Sequence, residues 1–415
     1  MIQATKRELK PKLRFPEFGG AWAVKKLVDL GKLIGGGTPD KSVVEYWQGD
    51  IPWVSSSDIF EDDIYTISVT RFINEKSISE SATKIVPKGS VLFVSRVGTG
   101  KLAVNNNDVC TSQDFTNFLP KKIYNYFLGY FFIANKSALI SLGQGTSIKG
   151  FSKGDLEKFE VIFPSLLEQQ KIADCLSSID ELITAQTQKL VTLKTHKKGL
   201  MQQLFPAEGE TLPKLRFPEF RDDWVIAKLG ELGKLSGGGT PDKSVAEYWQ
   251  GDIPWVSSSD VFEDDIYTMS VTRFINEKSI SESATKIVPK GSVLFVSRVG
   301  TGKLAVNNID VCTSQDFTNF LPKKIYNYFL GYFFIANKSA LISLGQGTSI
   351  KGFSKGDLEQ FEVSFPSSLE QQKIADCLSS IDDLIIAQTK KIDTLKTHKK
   401  GLMQQLFPAI EEVQR

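Results

Sequence analysis

The chain is written twice. Pro11-Lys12-Leu13-Arg14-Phe15-Pro16-Glu17-Phe18 returns as Pro213 through Phe220, and Phe205-Pro206-Ala207 returns as Phe407-Pro408-Ala409. The offset is 202 throughout, with no insertion or deletion. About 21 of roughly 197 aligned pairs differ, so nearly nine positions in ten are identical. A solenoid unit runs only ~20–50 residues, so each copy here is long enough to hold its own core. The differences are unevenly spread. Gly19-Gly20-Ala21 becomes Arg221-Asp222-Asp223, and Leu190-Val191 becomes Ile392-Asp393. Between Gly35 and Phe151 only about four positions differ: Val44/Ala246, Ile59/Val261, Ile67/Met269 and Asn107/Ile309. Over that stretch the two copies present nearly the same surface.

Within one copy the pattern changes near Pro164. Before it, short β-rich runs such as Ser90–Val97 and Glu160–Phe163 alternate with Gly, Pro, Asn and Asp turns. Tyr124–Leu142, rich in aromatics and closed by Gly143, reads as one buried helix. Together these describe a compact α/β domain of ~150 residues whose strand order is left open. The composition supports filled cores: 41% of residues are hydrophobic and 28 are Phe.

After Pro164 the pattern is helical. Ser165-Leu166-Leu167-Glu168 fits a capping box, in which the Ser165 hydroxyl accepts from the Glu168 backbone and that carboxylate reaches back. An apolar seam follows: Ile172, Leu176, Ile179, Ile183, Gln186, Leu190, Leu193, Lys197, Leu200 and Leu204. Its steps alternate four and three, the rhythm of a coiled coil, with Gln186 and Lys197 as polar interruptions that can fix register. A helix over Leu166–Leu204 would be ~58 Å long. The second copy repeats the seam from Ile374 to Leu406, with Gln388 and Lys399 as its polar members. A lone helix cannot bury such a stripe, so it needs a partner. The twin helix is the expected one, packed antiparallel within the chain; parallel association between chains is the alternative. The expected architecture is mixed α/β (α+β), with two globular domains alternating with two long helices paired as an antiparallel coiled coil of pseudo-twofold symmetry. The expected boundaries are 1–164 and 207–366 for the globular domains, 165–206 and 367–408 for the helices, and 409–415 for a tail.

The residues that usually carry catalysis are scarce or poorly arranged. Lys+Arg number 50 against 48 Asp+Glu, a net charge of +2, so charge alone gives no sign of a nucleic-acid or membrane partner. There are two His, and the four Cys do not make a disulfide framework. Met1–Lys10 lacks the apolar core of a secretory signal, and Tyr124–Ala134 is too short to span a bilayer, so a soluble, reduced, cytoplasmic setting is expected. Gly98-Thr99-Gly100-Lys101 looks like the end of a phosphate-binding loop, but Ser95 replaces the upstream glycine and Leu102 stands where a Ser or Thr would meet magnesium. His196 and His398 read as solvated helix residues, and Cys175 and Cys377 as small buried ones. Glu61-Asp62-Asp63 reads as a solvated loop rather than a metal site. No catalytic residues, metal site or cofactor are expected.

What remains is a set of loops dense in small polar groups: Gly35–Pro39, Ser55–Asp58, Ser95–Lys101, Thr111–Asp114 and Gly143–Gly150. Glycine permits close backbone approach, Ser, Thr and backbone amides suit phosphate oxygens, and Arg, Lys and Gln can read base edges. Such loops are also common as ordinary turns.

The motifs taken together are specific. They are the Pro-Lys-Leu-Arg-Phe-Pro-Glu-Phe opening, Gly36-Gly37-Thr38-Pro39, Ile51-Pro52-Trp53-Val54, Val94-Ser95-Arg96-Val97-Gly98, Ile148-Lys149-Gly150-Phe151-Ser152, and Pro164 leading to Glu168-Gln169-Gln170-Lys171-Ile172-Ala173. Over essentially the whole chain the sequence resembles the DNA-specificity subunit of type I restriction–modification systems. The resemblance implies a subunit without catalytic activity of its own. It implies two target-recognition domains, each reading one half of a split site on double-stranded DNA. It further implies helical regions that dock two adenine-N6 DNA-methyltransferase subunits, with the restriction/translocase subunits as further partners. Family members usually carry two dissimilar recognition domains; the near-identity here, with the two domains held in inverted orientation by the helix pair, implies half-sites that are inverted repeats around a non-specific gap. The DNA-binding candidates are Arg96 and Arg298 first, then Lys101/Lys303, Gln113/Gln315 and Lys149/Lys351. Gly36, Thr38, Ser56, Ser95, Thr99 and Thr146 follow, with their counterparts Gly238, Thr240, Ser258, Ser297, Thr301 and Thr348. A coiled-coil scaffold whose globular ends bind protein or carbohydrate is the competing reading, and a nuclease acting alone is a second.

Overall fold

The computed structural model describes residues 10–143, 150–207, 209–345 and 352–408. It resolves two compact units, one of Met1–Thr187 with Lys390–Arg415 and the other of Gln188–Thr389. The division falls inside both long helices, Leu166–Leu204 and Ser368–Leu406. Each unit therefore holds one globular domain and one half of each long helix.

In the first unit the strands are β1 (Ala23–Lys26), β2 (Gly31–Gly35), β3 (Ile51–Val54), β4 (Arg71–Ile73), β5 (Ile85–Val86), β6 (Val91–Val94), β7 (Leu102–Val104), β8 (Val109–Thr111), β9 (Phe115–Pro120) and β10 (Glu160–Phe163). One sheet has the order β2-β9-β6-β7 and is antiparallel throughout. A second has the order β4-β3-β8-β5, with β3 and β8 parallel. β1 and β10 form a separate antiparallel ribbon.

Strand alternation explains how the two sheets share a core. In β6, Val91 and Phe93 face a cluster built on the aromatic helix Asn125–Ala134, while Leu92 and Val94 face a second cluster with Val54, Ile59, Val86 and Val109. A sheet covered on both faces reads as an unbroken apolar run, which is why Val91-Leu92-Phe93-Val94 is buried at every position. Two of the four differences between Gly35 and Phe151 meet here. Ile59 bridges Ile67, and its counterpart Val261 bridges Met269, so a methylene lost on one side is matched by a longer side chain on the other.

The helix expected over Tyr124–Leu142 is two helices, Asn125–Ala134 and Lys136–Ser141. Asn135 separates them: its side-chain amide donates to Phe131 O at 2.9 Å and competes with the backbone ladder.

The long helices run over the expected residues, and every seam position from Ile172 to Leu204 is buried or half-buried. In the first unit the core around Phe127 and Phe131 takes in Ile172 and Leu176 of the first long helix and Met403, Leu406 and Phe407 of the second repeat. Phe407 packs 5.4 Å from Phe127 and 6.1 Å from Phe131. Leu13 N donates to Gln405 O at 3.0 Å, and Lys399 Nζ meets Asp180 Oδ1 at 2.6 Å. With 406 near 172–176 and 399 at 180, the two helix segments of this unit run antiparallel. The second unit repeats the arrangement with the repeats exchanged. Phe205 packs 5.4 Å from Phe329, Leu215 N donates to Gln203 O at 2.9 Å, and Lys197 Nζ meets Asp382 Oδ1 at 2.6 Å.

The expected capping box forms only in half. Glu168 N does donate to Ser165 Oγ, at 3.4 Å, but the carboxylate turns away to accept two bonds from Arg14, from Nε and Nη2, both at 2.8 Å. A buried carboxylate gains more from a bidentate guanidinium than from one backbone amide. Gln169 joins this corner, accepting from Tyr124 N at 2.9 Å and donating to Pro164 O at 2.9 Å, so it ties the aromatic helix to the start of the long one. Arg216 and Glu370 repeat the ion pair at 2.7 Å.

Candidate nucleic-acid interface

Four of the five polar loops meet along one rim of each globular domain, joined by backbone hydrogen bonds. In the first unit Gly37 N donates to Thr111 O at 2.8 Å, Ser112 N to Val54 O at 2.9 Å, and Ser95 N to Asp114 O at 2.7 Å. Gly35–Pro39, Ser55–Asp58, Ser95–Lys101 and Thr111–Asp114 are thereby fastened to one another at the ends of β2, β3, β6 and β8. Gly36 shows why glycine is needed here: a Cβ on it would lie 2.1 Å from Ser112 O. Gly98 and Gly100, at φ of 85° and 95°, shape the tip of the β6–β7 hairpin in a backbone region that disfavours side chains.

The expected contact residues fall into two groups. Arg96 and Gln113 are exposed on the rim. Thr38 Oγ1 donates to Gln113 Oε1, so Gln113 keeps its amide N–H groups turned to solvent. Ser56 is half-buried beside them. The others are turned into the scaffold. Ser95 Oγ donates to Asp114 O at 3.0 Å, and Thr99 Oγ1 donates to Arg96 O at 2.5 Å. Lys101 Nζ donates to Ser56 O at 3.4 Å and Ile59 O at 3.2 Å, pinning the hairpin to the Ser55–Asp58 turn. Gly98-Thr99-Gly100-Lys101 is thus a hairpin whose lysine is bound to carbonyls. Gly238, Thr240, Ser258, Ser297, Arg298, Thr301, Lys303 and Gln315 occupy the equivalent places, with Lys303 Nζ at 3.2 Å from both Ser258 O and Val261 O. Thr146, Lys149, Thr348 and Lys351 lie outside the described residues.

Arg71 is a further residue of this rim, absent from the expected contact residues. It opens β4 opposite Trp53, and its Nη2 donates to Asp58 Oδ2 at 3.0 Å and to Ser55 Oγ. Its guanidinium stacks over the Trp53 ring at 4.8 Å, and Trp53 Nε1 donates to Gly37 O at 3.0 Å. The Ser55-x-x-Asp58 capping pattern was the available signal: a buried carboxylate on a rim asks for a cation.

Other chemistry is sparse. Burial pushes the Cys110 and Cys312 thiols up to about 11, which keeps them protonated near neutrality. Lys136 pairs with Glu61 and with Asp62, while Asp63 accepts from Tyr65 N at 2.8 Å. Among the described residues no group of His, Cys, Asp and Glu could hold a metal ion, and no helix is long and apolar enough to cross a membrane. His196 and His398 are exposed.

A duplicated α/β module with one loop-built rim per copy, joined to long helices, is the layout of a paired recognition protein. The family described as type I restriction modification DNA specificity domain matches residues 20–195 and 221–397, and the chain belongs to it. The chain is 27% identical over 407 residues to the type I restriction enzyme MjaIX specificity subunit of Methanocaldococcus jannaschii, covering 93% of this chain and 92% of that one. Its fold matches the crystal structure of the type I restriction–modification S subunit from M. genitalium with a TM-score of 0.61 at 15% identity, over 96% of this chain and 99% of that one. A chain from a structural study of complex assembly and conformational transition in the type I R-M system matches with a TM-score of 0.58 at 17% identity, over 93% and 97% of the two chains.

Proposed function

We propose that this chain is the non-catalytic DNA-recognition subunit of a type I restriction–modification complex. On this reading residues 1–164 and 207–366 are the target-recognition domains, and each reads one half of a bipartite site on double-stranded DNA. Residues 165–206 and 367–408 are the spacer helices that dock two adenine-N6 methyltransferase subunits. Those subunits bring S-adenosylmethionine and the methyl transfer, the restriction/translocase subunits of such systems join the same assembly, and the complex works on DNA in the cytoplasm.

The observation that carries this reading is the rim. It gathers exposed Arg96 and Gln113 with half-buried Ser56 on one fastened edge, and it recurs residue for residue around Arg298, Gln315 and Ser258. Two identical rims read identical bases. The exchange of repeats between the two units favours half-sites in inverted order, an inverted repeat around a gap of unspecified bases. The net charge of +2 is small for a protein that must neutralise many phosphates alone, so the methyltransferases are proposed to supply much of that contact.

The test is co-expression of the chain with a type I adenine-methyltransferase subunit from its native host, followed by purification and methylation of plasmid DNA. Co-purification together with adenine methylation that needs this chain is the expected result. A chain that recovers no methyltransferase, and whose omission leaves methylation unchanged, would reject the proposal in favour of a scaffold.

A further inference from the structure

The strongest unassigned group on the rim is the guanidinium of Arg71 and its twin Arg273. Each is fixed by a serine hydroxyl (Ser55 or Ser257), a carboxylate and an indole ring. Asp58 Oδ2 accepts from Arg71 Nη2 at 3.0 Å, and Asp260 Oδ2 accepts from Arg273 Nη2 at 2.7 Å. The guanidinium carbon lies 4.8 Å from the Trp53 ring in one unit and 4.8 Å from the Trp255 ring in the other. Those rings are themselves fixed, donating at 3.0 Å to Gly37 O and Gly239 O of the glycine loops.

Two features argue that the site needs a guanidinium rather than any cation. The Asp58 carboxylate is already well provided for, accepting from Ser55 N at 2.7 Å and from Ser55 Oγ at 2.9 Å, so a lysine would suffice to balance its charge. Arginine leaves a buried Nε–H without a partner in both copies, a cost that a lysine would not incur. What arginine adds is a rigid planar edge. Nη1 has no hydrogen-bond partner among the described residues, and the side chain is 38% exposed.

The pairing also selects the ligand. Next to Asp58 the net charge of the pair is close to zero, so it contributes little to holding a phosphate through charge. Its asset is direction: Nη2 is committed to Asp58 and Ser55 and Nε is buried, so the two N–H groups of Nη1, held in one plane by a ring and a carboxylate, are what meets a base edge with paired acceptors. Building on the proposed function, we infer that Arg71 and Arg273 each read one guanine of their half-site by aiming the two N–H groups of Nη1 at its O6 and N7 acceptors, with Trp53/Asp58 and Trp255/Asp260 as positioning residues.

The duplication supplies an internal control, because a change in one repeat leaves the other reader intact. In the complex with the methyltransferase, the methylated motif is sequenced for the wild type, Arg71→Lys, Arg273→Lys and Asp58→Asn. Lysine keeps the charge beside Asp58 and loses the planar edge. Arg71→Lys is expected to relax one G position in one half-site, with an about ten- to hundred-fold loss of discrimination there, and to leave the other half-site strict. Arg273→Lys is expected to relax the matching position of the opposite half. Asp58→Asn, which keeps Arg71 but frees it, is expected to relax the same position as Arg71→Lys. A motif unchanged in all three variants, or methylation lowered evenly at every site with no base relaxed, would overturn the assignment. Should Arg71→Lys fail to assemble, the Arg273→Lys and Asp58→Asn motifs decide by the same criterion. A wild-type complex with no sequence motif at all would instead reject the specificity-subunit reading itself.

Discussion

Lys399 Nζ lies 2.6 Å from Asp180 Oδ1, and the two residues belong to different repeats. The same carboxylate accepts from Tyr130 OH at 2.6 Å, and Tyr65 OH lies 2.9 Å from Tyr130 OH. Tyr130 gives its one proton to Asp180, so Tyr65 must donate to Tyr130. The lysine also stands over the Tyr130 ring at 5.3 Å. One half-buried chain of polar groups thus links the globular domain to both long helices. Its twin, Tyr267–Tyr332–Asp382–Lys197, does so in the second unit.

Removing one end of this chain leaves a poorly solvated carboxylate. Lys399→Met is expected to destabilise the intact protein by about 3 kcal/mol, while Asp180→Leu with Lys399→Met recovers most of that loss. Urea unfolding of the single and double variants measures both. A single variant no weaker than the double one would show that the pair is incidental.

Phe407 comes from the end of the second repeat but packs with Phe127 and Phe131 in the first unit. Phe407→Ala is expected to cost about 3–5 kcal/mol. Hydrogen exchange should place the loss in Met1–Thr187, with the protection of Phe329 and Phe333, packed on Phe205, unchanged. Equal loss of protection around both aromatic helices would contradict this division.

Gly36 is read as a position where backbone must touch backbone. Gly36→Ala sets a methyl 2.1 Å from Ser112 O and pushes the glycine loop off the Thr111–Asp114 loop. Strain of about 1–3 kcal/mol is expected, confined to one rim, with recognition of one half-site impaired and the other retained. Melting together with methylation of half-site variants would check it, and two equally impaired halves would refute it.

The buried thiols give a pH dependence of definite sign. Burial raises Cys110 and Cys312 to about 11 in the folded chain, against ~8.5 when unfolded. Below ~8.5 both states are protonated and the stability is intact; as pH rises towards 11 the unfolded chain ionises first and stability falls by up to ~1.4 kcal/mol per unit for each thiol. Tyr130 and Tyr332, raised mainly by burial, add to the loss above ~10. Replacing both cysteines by Ala should flatten the urea midpoint between pH 8.5 and 11, and an unchanged slope would show that the thiols do not contribute.

The helices were legible because a seam stepping by four and three needs no knowledge of distant residues, and Lys197 and Lys399 stood out as polar breaks in it. The polar loops were legible as candidates but not as a cluster, since their meeting depends on β3 pairing in parallel with β8, a crossover with no local signal. Glu168 misled for a related reason: its neighbours suggest a cap, whereas Arg14, far away in sequence, takes its carboxylate. Arg71 escaped notice because its partners Trp53 and Asp58 are brought to it only by the β3–β4 pairing.

Two matched rims are proposed to read one mirrored target, and the methylated motif in a host carrying this system tests that most directly. Two half-sites of the same bases, in inverted order about a fixed unspecified gap, are the expected result. Half-sites of unrelated sequence would contradict the account.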